Sequence, residues 1–126
     1  MTNPLELFQR TLETYRKHGW QLREVLMRPE TRAQLIAESG EPIFESSPVR
    51  DFPLDAMWFA RPARGGFEAW ELRLVSATPY ALFEAFASGT PEKQREERKR
   101  ALEGELCARC LAKGSGANEG GYPDQV

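Results

Sequence analysis

A chain of 126 residues with a formal net charge of −2 and 40% apolar content has the make-up of an ordinary globular domain that needs no staples to fold. The slight acidic surplus argues against a general nucleic-acid coat, where a basic excess is expected. No window approaches the roughly 18 apolar residues of a membrane span. Two cysteines, Cys107 and Cys110, are too few for a secreted disulfide scaffold. The start, Met1-Thr2-Asn3-Pro4-Leu5-Glu6, lacks the basic and apolar segments of a signal peptide. Together these features predict a cytoplasmic protein.

Asn3-Pro4-Leu5-Glu6 reads as a helix start, with Asn3 as cap, Pro4 at the first helical position and Glu6 at the capping-box position. Leu5, Phe8, Leu12 and Tyr15 then form one helical stripe. Arg16, Lys17 and His18 suit the negative end of the helix dipole, and Gly19 stops the helix. Trp20 to Met27 alternates as a strand, with Trp20, Leu22 and Leu26 on one face and Glu24 as a flaw in that face. A short second helix starts at Arg28-Pro29-Glu30-Thr31, carries Ala33, Ile36 and Ala37, and closes at Gly40. Residues 41–53 hold Pro42, Pro48 and Pro53 and predict an irregular connection with one short edge strand near Ile43-Phe44.

The central element is a hairpin, residues 54–61 and 67–75, joined through Pro62-Ala63-Arg64-Gly65-Gly66. A loop centred on residue 64 sets Trp58 opposite Trp70, Ala56 opposite Leu72 and Leu54 opposite Leu74. Asp55 then faces Arg73 on the other side of the sheet. Met57, Phe59 and Phe67 share that other side, which is too apolar to stay fully wet. It calls for a covering helix or another subunit. The first helix is expected on the side of Trp58 and Trp70.

Thr78-Pro79 and Thr90-Pro91 both look like helix starts. The first leads into Tyr80–Ser88, where alanines at 81, 85 and 87 favour helix with Leu82, Phe83 and Phe86 inward. A third hairpin strand is the alternative, because Tyr80, Leu82 and Phe86 also share a period-two face. The second start leads into a charged helix, about 91–113. Residues 92–105 carry five basic and five acidic side chains, with Leu102, Leu106 and Leu111 holding it to the body. Residues 114–126 read as a flexible tail. The fold class is therefore α+β: a small antiparallel sheet of roughly three to five strands, an N-terminal helix and C-terminal helices. Residues 1–113 form its single domain.

Chemistry is sparse. Cys107-Ala108-Arg109-Cys110 is a CxxC pair. Near a helix C-terminus the dipole opposes thiolate formation, so redox work is disfavoured. Zinc needs four ligands, and the chain offers these thiols and the distant His18, so a zinc site here requires two chains linked through the CxxC. The plainer reading is a small apolar stripe near Leu106. No GxSxG, HExxH, GxGxxG or GxxxxGK[ST] pattern occurs. Arg61 and Arg64 at the hairpin tip could hold an anion. With Phe59 and Phe67 they mildly resemble an aromatic-basic nucleic-acid platform, which Glu68 and Glu71 oppose.

The expected function is a non-enzymatic binding or protein-interaction module, with self-association as a homodimer or another protein as partner. Nucleic acid and membrane are not expected partners, and no cofactor is expected unless zinc binds Cys107 and Cys110. The expected surface comprises Trp20, Met57, Trp58, Phe59, Arg61, Arg64, Phe67 and Trp70. The alternative is a small ligand-binding protein or enzyme with a pocket lined by Trp20, Trp58 and Trp70.

Overall fold

A computed structural model describes residues 4–39, 47–76, 78 and 80–115. The fold is α+β: helices α1 (Pro4–Lys17), α2 (Pro29–Ser39) and α3 (Glu92–Ser115), with strands β1 (Gln21–Met27), β2 (Val49–Asp51), β3 (Ala56–Pro62), β4 (Phe67–Leu74) and β5 (Tyr80–Ala87). The strands form one sheet in the order β2-β1-β3-β4-β5, antiparallel except for the parallel β1–β2 pair. Contacts cluster into two compact units, Met1–Gly89 and Thr90–Val126. Among the described residues no helix is long and apolar enough to cross a membrane.

The hairpin forms, but its register lies two residues from the expected one. Trp58 pairs with Leu72, Ala60 with Trp70 and Met57 with Arg73. The loop is the reason. Arg64-Gly65-Gly66 makes a tight turn in which both glycines take positive φ, 71° and 76°, and Ala63 N–H donates to the Phe67 carbonyl at 2.8 Å. Two successive left-handed residues centre the turn on Gly65 and let strand pairing continue to Pro62–Glu68. A shift of two preserves which residues share a face, so the apolar pattern alone cannot distinguish the two registers. The tryptophans still meet on the diagonal, edge to face, with ring centroids 6.0 Å apart.

The expected Asp55–Arg73 pairing is replaced by a latch. Asp55 accepts the Arg28 backbone N–H and the Thr31 hydroxyl, each at 3.0 Å, while its own carbonyl accepts Val75 N–H at 2.9 Å. This ties the start of α2 to the start of β3 and the end of β4.

Strand β1 begins at Gln21, so Trp20 precedes it. The flaw at Glu24 is resolved by an irregularity between Leu22 and Glu24, where the register against β3 shifts. That bulge lets Leu22 pair with Phe59 while Glu24 pairs with Trp58 and Leu26 with Ala56. Leu22 therefore joins Val25 and Met27 rather than Leu26. Glu24 is neutralised by Arg50 of β2 at 2.9 Å. The short edge strand lies at Val49–Asp51; Ile43 and Phe44, where it was expected, lie outside the described residues.

Helix α1 packs on the side opposite to the expected one. Phe8 and Tyr15 bury against Val25, Met27, Leu35, Met57, Phe59 and Val75, with Leu5, Leu12, Trp20 and Leu22 around them. Both faces of β3 are apolar and all of Ala56–Ala60 is buried, so alternation does not say which face the helix takes. Tyr15 decides it. Its ring stacks on Phe59 at 4.1 Å and its hydroxyl donates to Glu71, a residue of the same face.

Residues 80–87 are strand, not helix, in unbroken antiparallel register with β4 from Leu74–Tyr80 to Phe67–Ala87. Helix propensity of the alanines is overridden by eight cross-strand neighbours on β4. In the second unit, α3 extends through Ser115, past the expected end at residue 113. Along it Glu96 pairs with Lys99 and Arg100, Arg100 with Glu103, and Glu105 with Arg109. Residues 116–126 of the expected tail lie outside the described residues.

Candidate functional site

The register fixes rows of side chains across the face that α1 covers. One row runs Leu22–Phe59–Glu71–Phe83, the next Val25–Met57–Arg73–Ala81, and a third Arg61–Ala69–Ala85. Phe67 and Ala87 close the end near the turn. Helix α1 buries the β1–β3 half of these rows. On the β4–β5 half, Phe67 is 45% exposed and Phe83 59% exposed, and Ala81, Ala85 and Ala87 are also exposed. The outcome is a strip of small residues punctuated by two phenylalanines along one side of the sheet.

The strip is bounded by a polar and aromatic cluster. Tyr15 and Trp20 meet edge to face at 5.9 Å. The Arg61 guanidinium lies 4.6 Å from the centre of the Trp20 ring, and its Nη1 donates to the His18 carbonyl at 2.6 Å. This cation–π contact and the carbonyl bond hold Arg61 back along the α1 terminus. Arg73 sits 5.9 Å from the Tyr15 ring, and its Nε donates to the Leu74 carbonyl at 3.1 Å. His18 Nδ1 lies 2.9 Å from the Thr14 carbonyl, which places it as a helix-terminal residue.

Burial raises the Tyr15 hydroxyl pKa far above the ordinary tyrosine value, and the hydrogen bond and charge of Glu71 raise it further, against a weaker opposing effect of Arg73. Tyr15 therefore keeps its proton in the fold where an unfolded tyrosine ionises, near pH 10. Above that pH the native state binds more protons than the unfolded chain, so stability falls as pH rises. Urea denaturation should show the wild-type advantage over Tyr15→Phe present at pH 8 and shrinking above about pH 10. An advantage that stays constant to pH 11 would show that the fold does not raise the Tyr15 hydroxyl above the ordinary tyrosine value.

The expected surface residues divide between the two sides of the sheet. Met57 and Phe59 are fully buried in the α1 core, and Trp20 and Arg61 border it. Trp58 and Trp70 lie on the opposite face, Trp58 fully buried and Trp70 9% exposed, with the Trp70 indole N–H donating to Glu68 at 2.8 Å. Trp20 thus shares no pocket with Trp58 and Trp70. Arg64 is exposed in the turn, and Phe67 stands on the open strip. Sequence reading missed Phe83, Tyr15, Glu71 and Arg73 as parts of this region. The signal for Phe83 was available: Tyr80, Leu82, Glu84 and Phe86 alternate with Ala81, Phe83, Ala85 and Ala87.

Cys107 and Cys110 are not joined in a disulfide and lie within α3, about one turn apart, since the helix continues past them to Ser115. Burial, with the charge of Glu103 adding to it, pushes the Cys107 thiol up, against both thiolate chemistry and metal ligation. Among the described residues no group of three or more His, Cys, Asp or Glu side chains could hold a metal ion. A shallow depression on the outer side of α1, bordered by Gln9, Leu12, Glu13, Arg16 and Lys17, offers no nucleophile–base pair. No known family, curated protein or solved structure matches the chain.

Proposed function

We propose that this chain is a non-enzymatic interaction module, cytoplasmic, that takes a polypeptide partner along the open β4–β5 side of its sheet. The observation that supports this most is the exposure of Phe67 on β4 and Phe83 on β5, on one face of the sheet whose outer strand is the eight-residue β5. Exposed large apolar side chains on the outermost strands of a sheet favour docking of another chain over solvation. The separation of Trp20 from Trp58 and Trp70 removes the motive for a tryptophan-lined small-molecule pocket.

The test is an amide-resolved NMR titration with short strand-forming peptides and with a panel of common metabolites. Peptides are expected to shift β4 and β5 amides, and the double variant Phe67→Ser/Phe83→Ser is expected to abolish those shifts. Both side chains are exposed, so that variant should keep its fold within about 1 kcal/mol. Shifts produced by a metabolite around Trp20 and Arg61, with silence from peptides, would overturn the proposal in favour of ligand binding.

A further inference from the structure

Arg73 stands apart from the other arginines around the sheet. Arg23, Arg28, Arg32 and Arg50 each reach a carboxylate, on Glu68, Asp55, Asp51 and Glu24. Arg73 is half-buried, yet among the described residues no carboxylate lies within ion-pairing distance of it. Its Nε is occupied by the Leu74 carbonyl, and its guanidinium otherwise meets the neutral Tyr15. Glu71, the acid on the same face, takes the Tyr15 hydroxyl instead. A cation drawn partly out of water without a counter-charge is costly, and the two terminal nitrogens of a guanidinium form a fork that fits a carboxylate.

The register gives the fork an outlet. In the row Val25–Met57–Arg73–Ala81 the inner neighbour of Arg73 is a buried methionine, and its outer neighbour is a single methyl group on the outermost strand of the described sheet. Ser88 N–H donates to the Gly66 carbonyl at 2.8 Å, continuing the ladder that pairs Phe86 with Glu68. Successive residues of an antiparallel ladder point their backbone groups to opposite sides, so the even-numbered residues of β5 face β4. Ala81, Phe83 and Ala85 consequently turn their N–H and C=O groups outward, and the same three place their side chains on the face of Arg73.

We infer that the polypeptide taken by this module carries an acidic side chain, which seats on Arg73 from the position opposite Ala81 of a strand added to β5. This rests on the interaction-module reading above and names the partner's chemistry. That position lies two strand spacings, roughly 10 Å, from the Arg73 backbone. An arginine and a glutamate extended toward each other over one methyl group close the gap. Two residues along, the added strand passes Phe83, which is 59% exposed. Two further on it passes Ala85, where Ala85 and its partner Ala69 leave room for a large apolar side chain between Phe67 and Phe83. The pattern recognised is an acid and a large apolar residue four positions apart on one side of the strand.

Glu84 sharpens the selection. It is half-buried on the other face of β5, paired with Trp70, so an acid displaced by one position meets a like charge there. A second copy of the chain does not fit the pattern, because its own β5 carries Glu84 on the face away from Phe83 and brings only alanine and phenylalanine to Arg73. A small free acid fits less well than an extended chain. The face from Phe67–Ala87 to Arg73–Ala81 runs roughly 20 Å along the strands, and a small acid leaves most of it bare.

The experiment is an NMR titration of the full chain with three short strand-forming peptides. The first carries a glutamate and a phenylalanine four positions apart, the second has glutamine for that glutamate, and the third has the glutamate moved by one position. The first is expected to bind about tenfold more tightly than either of the others, shifting the Arg73 side-chain Nε–H together with the β5 amides. Arg73→Gln is expected to abolish the preference for glutamate over glutamine while leaving weak binding. Equal affinity of the wild type for the first two peptides overturns the inference and, where both shift β5, leaves the module reading standing. Silence of β4 and β5 toward all three at roughly 1 mM overturns both readings. A preference that survives in Arg73→Gln places the acid elsewhere and overturns the inference. Acetate that shifts the Arg73 Nε–H at the peptide's concentration assigns the fork to a small acid, and a wild type that sediments at twice the chain mass with Ala81, Phe83 and Ala85 protected from exchange assigns the edge to a second copy. Either result overturns it.

Discussion

Replacing Trp58 with alanine is expected to cost about 3–5 kcal/mol of stability, as deletion of a large buried aromatic does. Trp58 has no exposed surface and stands in a row with Glu24, Leu72 and Leu82. Its ring meets Trp70 edge to face, and Trp70 in turn meets Phe86 at 6.5 Å. Removing the indole takes away the burial of its own surface and leaves a void that close-packed neighbours fill only in part. Against a total stability of roughly 5–15 kcal/mol, that loss moves the melting temperature by on the order of 15 °C. Urea denaturation followed by far-ultraviolet circular dichroism measures it. Phe83→Ala, on the open strip, should stay within about 0.5 kcal/mol in the monomer. A cost below about 1 kcal/mol for Trp58→Ala would mean that the ring lines an open space.

The second large effect belongs to a carboxylate. Asp55→Ala should cost about 2–4 kcal/mol, since it leaves the buried Thr31 hydroxyl and the Arg28 backbone N–H without their acceptor. Thr31 is only 1% exposed, and its hydroxyl donates to Asp55 Oδ2. The Arg28 backbone N–H donates to Oδ1, and the Arg28 guanidinium lies 3.5 Å from Oδ2. That ion pair is half open to water and adds little. The main loss is the buried hydroxyl, together with the anchoring of the first turn of α2. A double-mutant cycle with Thr31→Val separates the two contributions, with an expected coupling of about 0.5–3 kcal/mol. Coupling near zero would show that Thr31 and Asp55 stabilise the fold independently.

Much of the architecture is legible in the residues. Pro4 and Gly19 bracket the first helix, and alternation about Gly65-Gly66 gives the central hairpin. What escapes is whatever a period of two leaves unchanged. The hairpin register differs from the expected one by two residues, a slip that keeps every side chain on its face and trades only partners. Only the backbone angles of the glycines choose between these registers. The side taken by α1 was hidden for a related reason, because both faces of Ala56–Ala60 are apolar. Tyr15 resolves it through one hydrogen bond to a glutamate 56 residues away. Glu24 looked like an error in a strand pattern until the bulge moved Leu22 to the other face. Residues 80–87 have a composition that suits helix, and their strand state comes from β4, a non-local cause. Of the candidate surface, Phe67 was recognised from the sequence; Phe83 was placed inward because its segment was given a helical period.

The position of β1 between β2 and β3 also sets a schedule. A growing chain makes Val25, Leu26 and Met27 well before either neighbouring strand, and roughly 30 further residues, a few seconds of synthesis, separate Met27 from the start of β3. During that interval the most apolar stretch of the early chain has no sheet to join. Helix α1, already complete, and then α2, whose Leu35 joins the same core, are the described elements made before those strands. The stripe of Phe8, Leu12 and Tyr15 is thus made before every strand it packs on, and the central strand it covers is complete only when its neighbours on both sides have been made.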